Sequence, residues 1–258
     1  MKLKILTFII IITLPLFFLS CAPKEENLLE PQGPSEIIPA EIKNNPNVIY
    51  NSQNSNSEQK EKPLADSYCI TMNCVFQNPE LPTGCEITAL TTVLNHLGYD
   101  VTKTEMARDY LKKDYLGRVG FDKAFIGNPE SDSGYGCFAP VIVDAALAYL
   151  NEHDMEYSAW DISGKELNEL FEYVNNDIPV IVWASMGLME VYKKPAFVDA
   201  EGNQIYWYDN EHCVVLCGYD LEKQTVTVCD PLSGIVDYGM ERFQYIYDQL
   251  EKQAVIVQ

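Results

Sequence analysis

The stretch that decides the fold is FQNPELPTGCEITALTTVLNHLG, residues 76–98, in which a loop leads directly into a helix-periodic run. Its apolar positions recur at the spacing of one helix face and the run closes at Gly98, so a helix is predicted to begin near Cys85. A cysteine at a helix N-terminus lies near the positive end of the helix dipole, which favours thiolate over thiol. Cys85 is therefore a candidate nucleophile, and Gln77, eight positions upstream, is a candidate hydrogen-bond donor beside its sulfur.

Two further polar residues follow in the order that a thiol nucleophile needs. His212 lies in a strand-like segment, and Asp230 ends the next one. A histidine beside Cys85 would take its proton, and a carboxylate on the far side of the imidazole would fix the tautomer and orientation of the ring. The Cys-to-His separation, 212 − 85 = 127 residues, is close to the roughly 130 to 150 of papain-like peptidases.

Each of these residues also has a purely structural interpretation. Cys85 could be a small core residue, and His212 a buried strand histidine with satisfied hydrogen bonds. Asp230 could serve only the turn with Pro231, and Gln77 could make only loop contacts. Their joint order and spacing favour the catalytic set over four separate structural roles. The competing motifs Gly-x-Ser-x-Gly and His-Glu-x-x-His do not occur in the chain.

The first 21 residues have the pattern of an export signal. Lys2 and Lys4 precede an almost wholly apolar run, residues 5–19, that is short for a membrane-spanning helix. The Ser20-Cys21 ending resembles a bacterial lipobox, so Cys21 is predicted to be the lipidated first residue of the mature chain. An uncleaved membrane anchor is the alternative, and both place the protein at the extracellular face of the cell membrane.

The rest of the chain divides into a tether and one domain. Residues 22–65 are rich in Pro, Glu, Asn, Ser, Gln and Lys, and are predicted to be a disordered spacer because they offer little apolar surface to bury. Residues 66–258 are long enough for one domain with a full core. The net charge of −20 repels phosphate backbones, so no nucleic-acid partner is expected. A monomer is expected.

The eight cysteines favour neither a metal site nor a defined disulfide set. With Cys21 assigned to lipidation, seven remain, and an odd number leaves at least one thiol free. Export permits disulfides without proving them, and the pairing stays open. No Cys-x-x-Cys pair occurs, so zinc is disfavoured and neither a metal nor a cofactor is predicted.

The order of periodic segments predicts an α+β fold. Helices are expected after Cys85, over residues 102–113, from residue 139, and after a capping box at residues 163–166. Strands are expected at residues 178–183, 205–208, 212–219, 225–229 and 254–257, with a short helix at residues 241–250 before the last. Helices first and an antiparallel sheet second is the α+β pattern, and a cleft between the halves would place Cys85 opposite His212.

The chain resembles a known family in several motifs that occur in order. These are Leu-Pro-Thr-Gly-Cys-Glu within residues 77–98, and the segments at residues 125–129, 179–183, 211–212, 218–220 and 230–232. They are similar to the bacterial peptidase C-thirty-nine-like family, papain-like cysteine peptidases related to the double-glycine leader peptidases. The resemblance covers residues 74–258 and implies a papain-like fold. It also implies Cys85 as nucleophile, His212 as general base, Asp230 as the orienting group and Gln77 as the oxyanion donor.

Together these features predict a surface-tethered cysteine peptidase or amide hydrolase acting on an extracellular peptide. Two alternatives remain open: an inert papain-like module that binds peptides or wall components, and an acyl transferase in which an amine attacks the thioester. The substrate is not specified by these residues.

Overall fold

The computed structural model describes residues 62–153 and 156–258. The signal segment, the lipidation site Cys21 and nearly all of the tether lie outside the described residues, so those predictions stay predictions. At the start of the described chain, the Pro63 carbonyl and the Ala65 amide both hydrogen-bond with the side chain of Asn175. Within the described ranges, no helix is both long and apolar enough to cross a lipid bilayer.

Helices dominate the first half of the described chain and strands dominate the second, which confirms the predicted α+β class. The helices are α1 (Cys85–His96), α2 (Lys103–Glu105), α3 (Ala139–Glu152), α4 (Leu167–Asn175) and α5 (Met240–Gln249). The strands of the first half are β1 (Ser67–Cys69), β2 (Lys113–Asp114), β3 (Phe125–Ile126) and β4 (Ala159–Asp161). Those of the second half are β5 (Val180–Ser185), β6 (Tyr192–Val198), β7 (Gln204–Asp209), β8 (Glu211–Asp220), β9 (Thr225–Asp230), β10 (Gly234–Gly239) and β11 (Ala254–Val257).

A seven-stranded antiparallel sheet forms the centre of the domain, in the order β10-β9-β8-β5-β11-β4, with β1 pairing the far end of β8. Strand β8 is buried along nearly its whole length. Its first residues pair with β5, with His212 opposite Ala184, and its later residues pair with β9. Hairpin β6–β7 and the short parallel pair β2–β3 form separate small sheets.

Helix α1 is the helix whose start was predicted at Cys85. It contacts β8 and β5, and its first ten residues are all buried, including three threonines, of which Thr92 accepts a hydrogen bond from the Val75 amide at 3.2 Å. Thr88 and Thr91 donate their hydroxyls to backbone carbonyls four residues earlier, at 2.7 Å each. The turn into α1 needs Gly84, because a Cβ there would lie 2.9 Å from the Cβ of Leu81 and 3.1 Å from that of Pro129.

Two predicted helix boundaries were wrong. The second helix was expected to run to Lys113, but a π-helical turn, Met106–Tyr110, follows α2, and Lys113 is already in β2. The backbone becomes extended at Leu111, and this residue packs in the core.

Helix α4 also starts later than its predicted capping box. The box that forms joins Glu166 and Glu169, whose side chains bond each other's backbone amides. Ser163 instead accepts a hydrogen bond from the Ala254 amide of β11, at 3.1 Å. Ser163 thus bonds the sheet, Glu166 caps α4, and the helix begins one turn later than predicted.

One disulfide joins Cys74 to Cys229 across 155 residues of chain. It ties the loop that precedes α1 to the end of β9. Among the described residues five cysteines carry free thiols, of which Cys69 is exposed and Cys85, Cys137, Cys213 and Cys217 are buried.

Candidate active site

The structure brings His212 and Asp230 together as a buried pair. His212 is the second residue of β8 and Asp230 the last of β9, and their side chains are 3% and 4% exposed. The Nε2 atom of His212 lies 2.7 Å from Oδ1 of Asp230. This contact fixes the Nε2 side of the ring and leaves Nδ1 as the nitrogen that can exchange a proton with a thiol.

Asp230 is itself held in place by backbone. The Leu232 amide donates to its Oδ1 at 2.7 Å, because Pro231 turns the chain back immediately after β9. Burial works to raise the pKa of Asp230, but the hydrogen bond and charge of His212 outweigh it and leave that pKa below its usual range. The carboxylate therefore stays ionised at neutral pH, as a group that orients an imidazole should.

Cys85 is the first residue of α1, as predicted, and is 6% exposed. Its sulfur makes a hydrogen bond with Oε2 of Glu86, at 3.4 Å. Within the described chain, no hydrogen bond joins the sulfur to His212. The structure therefore assembles the His212–Asp230 half of the predicted set and places the thiol against a carboxyl group instead.

The surroundings of Cys85 oppose the predicted preference for thiolate. Burial raises the pKa of the Cys85 thiol well above its usual range, and the carboxyl groups of Glu86 and Glu211 add to the rise, followed by Cys213. The dipole of α1 acts in the other direction but is worth at most about 2 kcal/mol in a partly buried site. In this arrangement Cys85 is a neutral thiol.

Glu86 and Glu211 are site residues that sequence reasoning missed. Both lie within 4.8 Å of the Cys85 sulfur and of each other, counted between one carboxyl oxygen of each and Sγ. Burial raises the pKa of Glu86 to about 7. Burial and the neighbouring Glu86 also raise the pKa of Glu211 well above its usual range. The available signal was their position, since each directly adjoins a candidate catalytic residue in an otherwise apolar segment.

The backbone of Cys137 fixes the Glu86 side chain through a hydrogen bond. The Cys137 amide donates to Oε1 of Glu86 at 2.7 Å, and the Cys137 carbonyl accepts from the indole nitrogen of Trp183 at 2.9 Å. The peptide chain at Cys137 thus links α1 to β5. Oε1 is therefore occupied by the Cys137 amide, and Oε2 faces the Cys85 thiol.

Gln77 lies in a loop that is anchored from two sides. Its backbone amide donates to the Pro231 carbonyl at 2.9 Å, next to Asp230. The Cys74–Cys229 disulfide joins the same two segments. Lys103, at the start of α2, donates to the carbonyls of residues 76–78 and pairs with Glu80 at 2.6 Å. The loop position of Gln77 is therefore set by the end of β9 and by α2.

The Gln77 side chain is 3% exposed. Its Nε2 donates one hydrogen bond to the Pro82 carbonyl at 2.8 Å, and its Oε1 is buried without a hydrogen-bond partner among the described residues. An amide nitrogen carries two hydrogens, so one remains for a ligand. The unpartnered Oε1 is an exception to the rule that buried polar groups are hydrogen-bonded, and the second Nε2 hydrogen is the one that the predicted oxyanion role would use.

A buried cysteine at a helix start and a histidine–aspartate pair on two adjacent strands of an antiparallel sheet belong to the papain-like cysteine proteinase fold. The described domain has this fold, as predicted. Comparison with known proteins gives the family: the chain belongs to the Peptidase_C39 like family, which matches residues 69–255.

The chain is also similar to individual proteins. The chain is 26% identical over 210 residues to the uncharacterized protein YvpB of Bacillus subtilis (strain 168), covering 79% of this chain and 80% of that one. A crystal structure of a Bacillus anthracis protein assigned as a C39-like peptidase is 28% identical, with a TM-score of 0.65 over 74% of this chain and 97% of its own. A double-glycine motif protease from an AMS/PCAT transporter, solved with its leader peptide, is a remote likeness at 16% identity and a TM-score of 0.39, over 74% and 91%.

Proposed function

We propose that the protein is a cysteine peptidase that cleaves peptide or related amide bonds through Cys85, His212, Asp230 and Gln77. The observation that carries the proposal is the buried 2.7 Å pair of His212 and Asp230, with Nδ1 of the ring left over, in a chain whose Cys85 opens the helix packed on the same strand. A buried histidine that served only the core would not need an ionised partner of its own. Family membership supports the same activity.

The chemistry would run in two stages. Nδ1 of His212 takes the proton of the Cys85 thiol, and the thiolate attacks the substrate carbonyl carbon, so that the carbonyl oxygen gains negative charge. The free Nε2 hydrogen of Gln77 and the Cys85 amide stabilise that oxyanion. The amine then leaves with the proton from His212. Water, deprotonated by the same ring, finally attacks the thioester and releases the acid and the free thiol.

The first step requires the sulfur to move. In the structure the thiol donates a hydrogen bond to Glu86. Cys85 must exchange that partner for Nδ1 of His212 before the thiol can ionise at neutral pH. The energetic reason is the ion pair, because a thiolate beside an imidazolium avoids the isolated buried charge that the present arrangement penalises. A bound substrate that displaces the thiol from Glu86 would supply this change.

The proposed location is the extracellular face of the cell membrane, with a lipid on Cys21 and a peptide or amide substrate outside the cell. Its support is the sequence of residues 1–21 and the spacer that follows it. No nucleic-acid partner is proposed, and the domain is proposed to act as a monomer.

An inert binding module is the second candidate, and one observation favours it. Successive strand residues point to opposite faces, so Glu211 and His212 leave β8 on different sides, and the sulfur lies beside Glu211. A thiol that never reached His212 would leave a cleft that binds without cutting. An acyl transferase would use the same catalytic residues and differ only in the second nucleophile.

A peptide-library digest by the full chain separates these functions. Cleavage products read by mass spectrometry should appear with the wild type and with Cys213→Ala, a matched loss of a neighbouring buried thiol. They should be absent with Cys85→Ala. Peptides that bind both the wild type and Cys85→Ala but are never cut would establish the inert module instead. Products extended by an added amine would establish transfer.

A further inference from the structure

Cys85, Glu86 and Glu211 form a buried cluster of three groups that can bind a metal ion. One donor atom from each, the sulfur and two carboxyl oxygens, lies within 4.8 Å of the other two. Exposed acidic clusters are common and mean little, but all three residues here are buried, with Glu86 fully so. Two carboxylates and a thiolate in such a place need protons or a cation to offset their charge.

Glu211 supplies an independent observation that points to a ligand. Its residue is 9% exposed, and its Oε1 is a buried oxygen with no hydrogen-bond partner among the described residues. Leaving a buried carboxyl oxygen without a partner is unfavourable, because no hydrogen bond offsets its loss of hydration. Its carboxyl group lies beside the sulfur and beside Glu86, so a cation bound between the three would meet it.

The neighbouring groups prepare Glu86 for a metal. Its Oε1 is held by the Cys137 amide at 2.7 Å, which leaves Oε2 directed at the Cys85 sulfur, 3.4 Å away. In a tetrahedral zinc site, bonds of about 2.3 Å to sulfur and 2.0 Å to oxygen place the two ligand atoms about 3.5 Å apart. The observed separation already fits one edge of such a site.

The donor types select among cations. A thiolate with two carboxylates suits Zn²⁺ and its thiophilic analogue Cd²⁺, whereas Mg²⁺ and Ca²⁺ take oxygen ligands alone. Three protein ligands also leave one coordination position open for water. The set lacks the four Cys or His ligands of a closed structural zinc site, so a reversible ion is expected here.

We propose that a zinc-class divalent cation binds Cys85 Sγ, Glu86 and Glu211, and that it holds the enzyme in an inactive state. On binding, the thiol loses its proton to solvent and the sulfur–metal bond forms, with no change of oxidation state. The metal keeps the sulfur on the Glu211 side, away from Nδ1 of His212. The inhibitory part rests on the proposed function, but the binding part does not.

Cadmium titration of the full chain tests the binding part. A thiolate ligand gives a sulfur-to-cadmium charge-transfer absorbance, and a saturable signal of one ion per chain is expected on a Cys69→Ser background that removes the exposed thiol. Glu211→Gln should weaken Cd²⁺ and Zn²⁺ binding at least tenfold. Glu222→Gln, the same change at an exposed glutamate, should leave binding unchanged. Circular dichroism checks that each variant is folded.

Cys85→Ser tests whether the Cys85 sulfur is the thiolate ligand. It also keeps the site testable if Glu211→Gln does not fold. It should abolish the charge-transfer signal, whereas Cys213→Ser should retain it. An unchanged signal in Cys85→Ser, equal affinity in Glu211→Gln and Glu222→Gln, or no saturable binding would each overturn the site.

Peptide cleavage is measured separately from metal binding. Zn²⁺ should inhibit peptide cleavage by the wild type, a chelator should restore it, and Glu211→Gln should resist inhibition. Binding with unchanged cleavage would overturn the inhibitory role and leave the metal site standing. Binding by a chain that cleaves nothing even after chelation would count against the proposed peptidase function, not against the metal site.

Discussion

The Cys74–Cys229 disulfide should be a large single contributor to the stability of this domain. The perturbation is its removal, either by Cys74→Ala or by reduction of the wild type. The bridge closes a chain separation of 155 residues. In the chain-entropy treatment, a loop of that length restricts the unfolded state by about 5 kcal/mol at 25 °C. Engineered bridges often give less, so a loss of about 3 to 5 kcal/mol is the expected result.

Urea unfolding measures this loss. For a slope of about 2 kcal/mol per molar, the midpoint should fall by roughly 1.5 to 2.5 M on removal of the bridge. Cys69→Ser, a change at an exposed free cysteine, should move the midpoint by less than about a quarter molar. The comparison should be made without metal and with the thiol state confirmed by mass spectrometry.

Two results would refute the reasoning. Equal midpoints for oxidised and reduced protein would show that the bridge does not restrict the unfolded chain as calculated. Free thiols at both positions, in protein made in an oxidising compartment, would show that the bridge does not form. The effect should also reach the site, because the bridge joins the Gln77 loop to the strand that ends at Asp230.

Four further outcomes are expected. Gln77→Ala should lower peptide turnover roughly a hundredfold or more, while alkylation of Cys85 stays within about twofold, because the amide acts on the oxyanion and not on the thiol. Glu86→Gln should speed Cys85 alkylation at neutral pH in metal-free buffer, since it removes a carboxyl group that raises the pKa of the thiol. The free energy of unfolding of Asp230→Asn, measured by urea unfolding at a series of pH values, should fall less steeply in acid than that of the wild type. The folded-state pKa of Asp230 is lowered, so its carboxylate stabilises the protein above about pH 4 and that stability is lost as pH falls through the folded pKa. Mass spectrometry of the membrane fraction should find a mature chain that begins at a lipid-modified Cys21.

Each of these has a contrary outcome. Loss of thiol alkylation in Gln77→Ala, with normal turnover in the remaining active fraction, would remove the oxyanion role. Slower alkylation in Glu86→Gln would mean that the carboxyl group assists ionisation. An acid unfolding curve of Asp230→Asn that parallels the wild type would mean that the carboxylate is not preferentially ionised in the fold. An unmodified or uncleaved N-terminus would end the lipoprotein assignment.

Local signals in the sequence predicted the parts of the site that depend on local structure. The helix start at Cys85 followed from the apolar spacing and the Gly84 turn. The β8–β9 hairpin followed from two apolar strands joined by a short turn, and it brings the end of β9, with Asp230, near the first residues of β8, where His212 lies. Both are decided within a few tens of residues.

The parts that were missed depend on contacts between distant segments. The Glu86 side chain is fixed by a hydrogen bond from Cys137, 51 residues away, and the disulfide pairing comes from the whole fold. The thiol's environment was mispredicted for the same reason. The helix dipole is visible in a sequence, whereas the burial that outweighs it and the approach of Glu211 arise only when β8 packs on α1.

The central claim is that His212 activates Cys85, and the pH dependence of Cys85 alkylation tests it most directly. Modification of this thiol by iodoacetamide would be followed by peptide-mapped mass spectrometry from about pH 5 to 9, in metal-free wild type and His212→Asn. The account predicts that the wild type reacts well below the ordinary thiol pKa of about 8.5, through the thiolate–imidazolium pair, and that His212→Asn reacts only in the alkaline range. Identical profiles for the two proteins would contradict it.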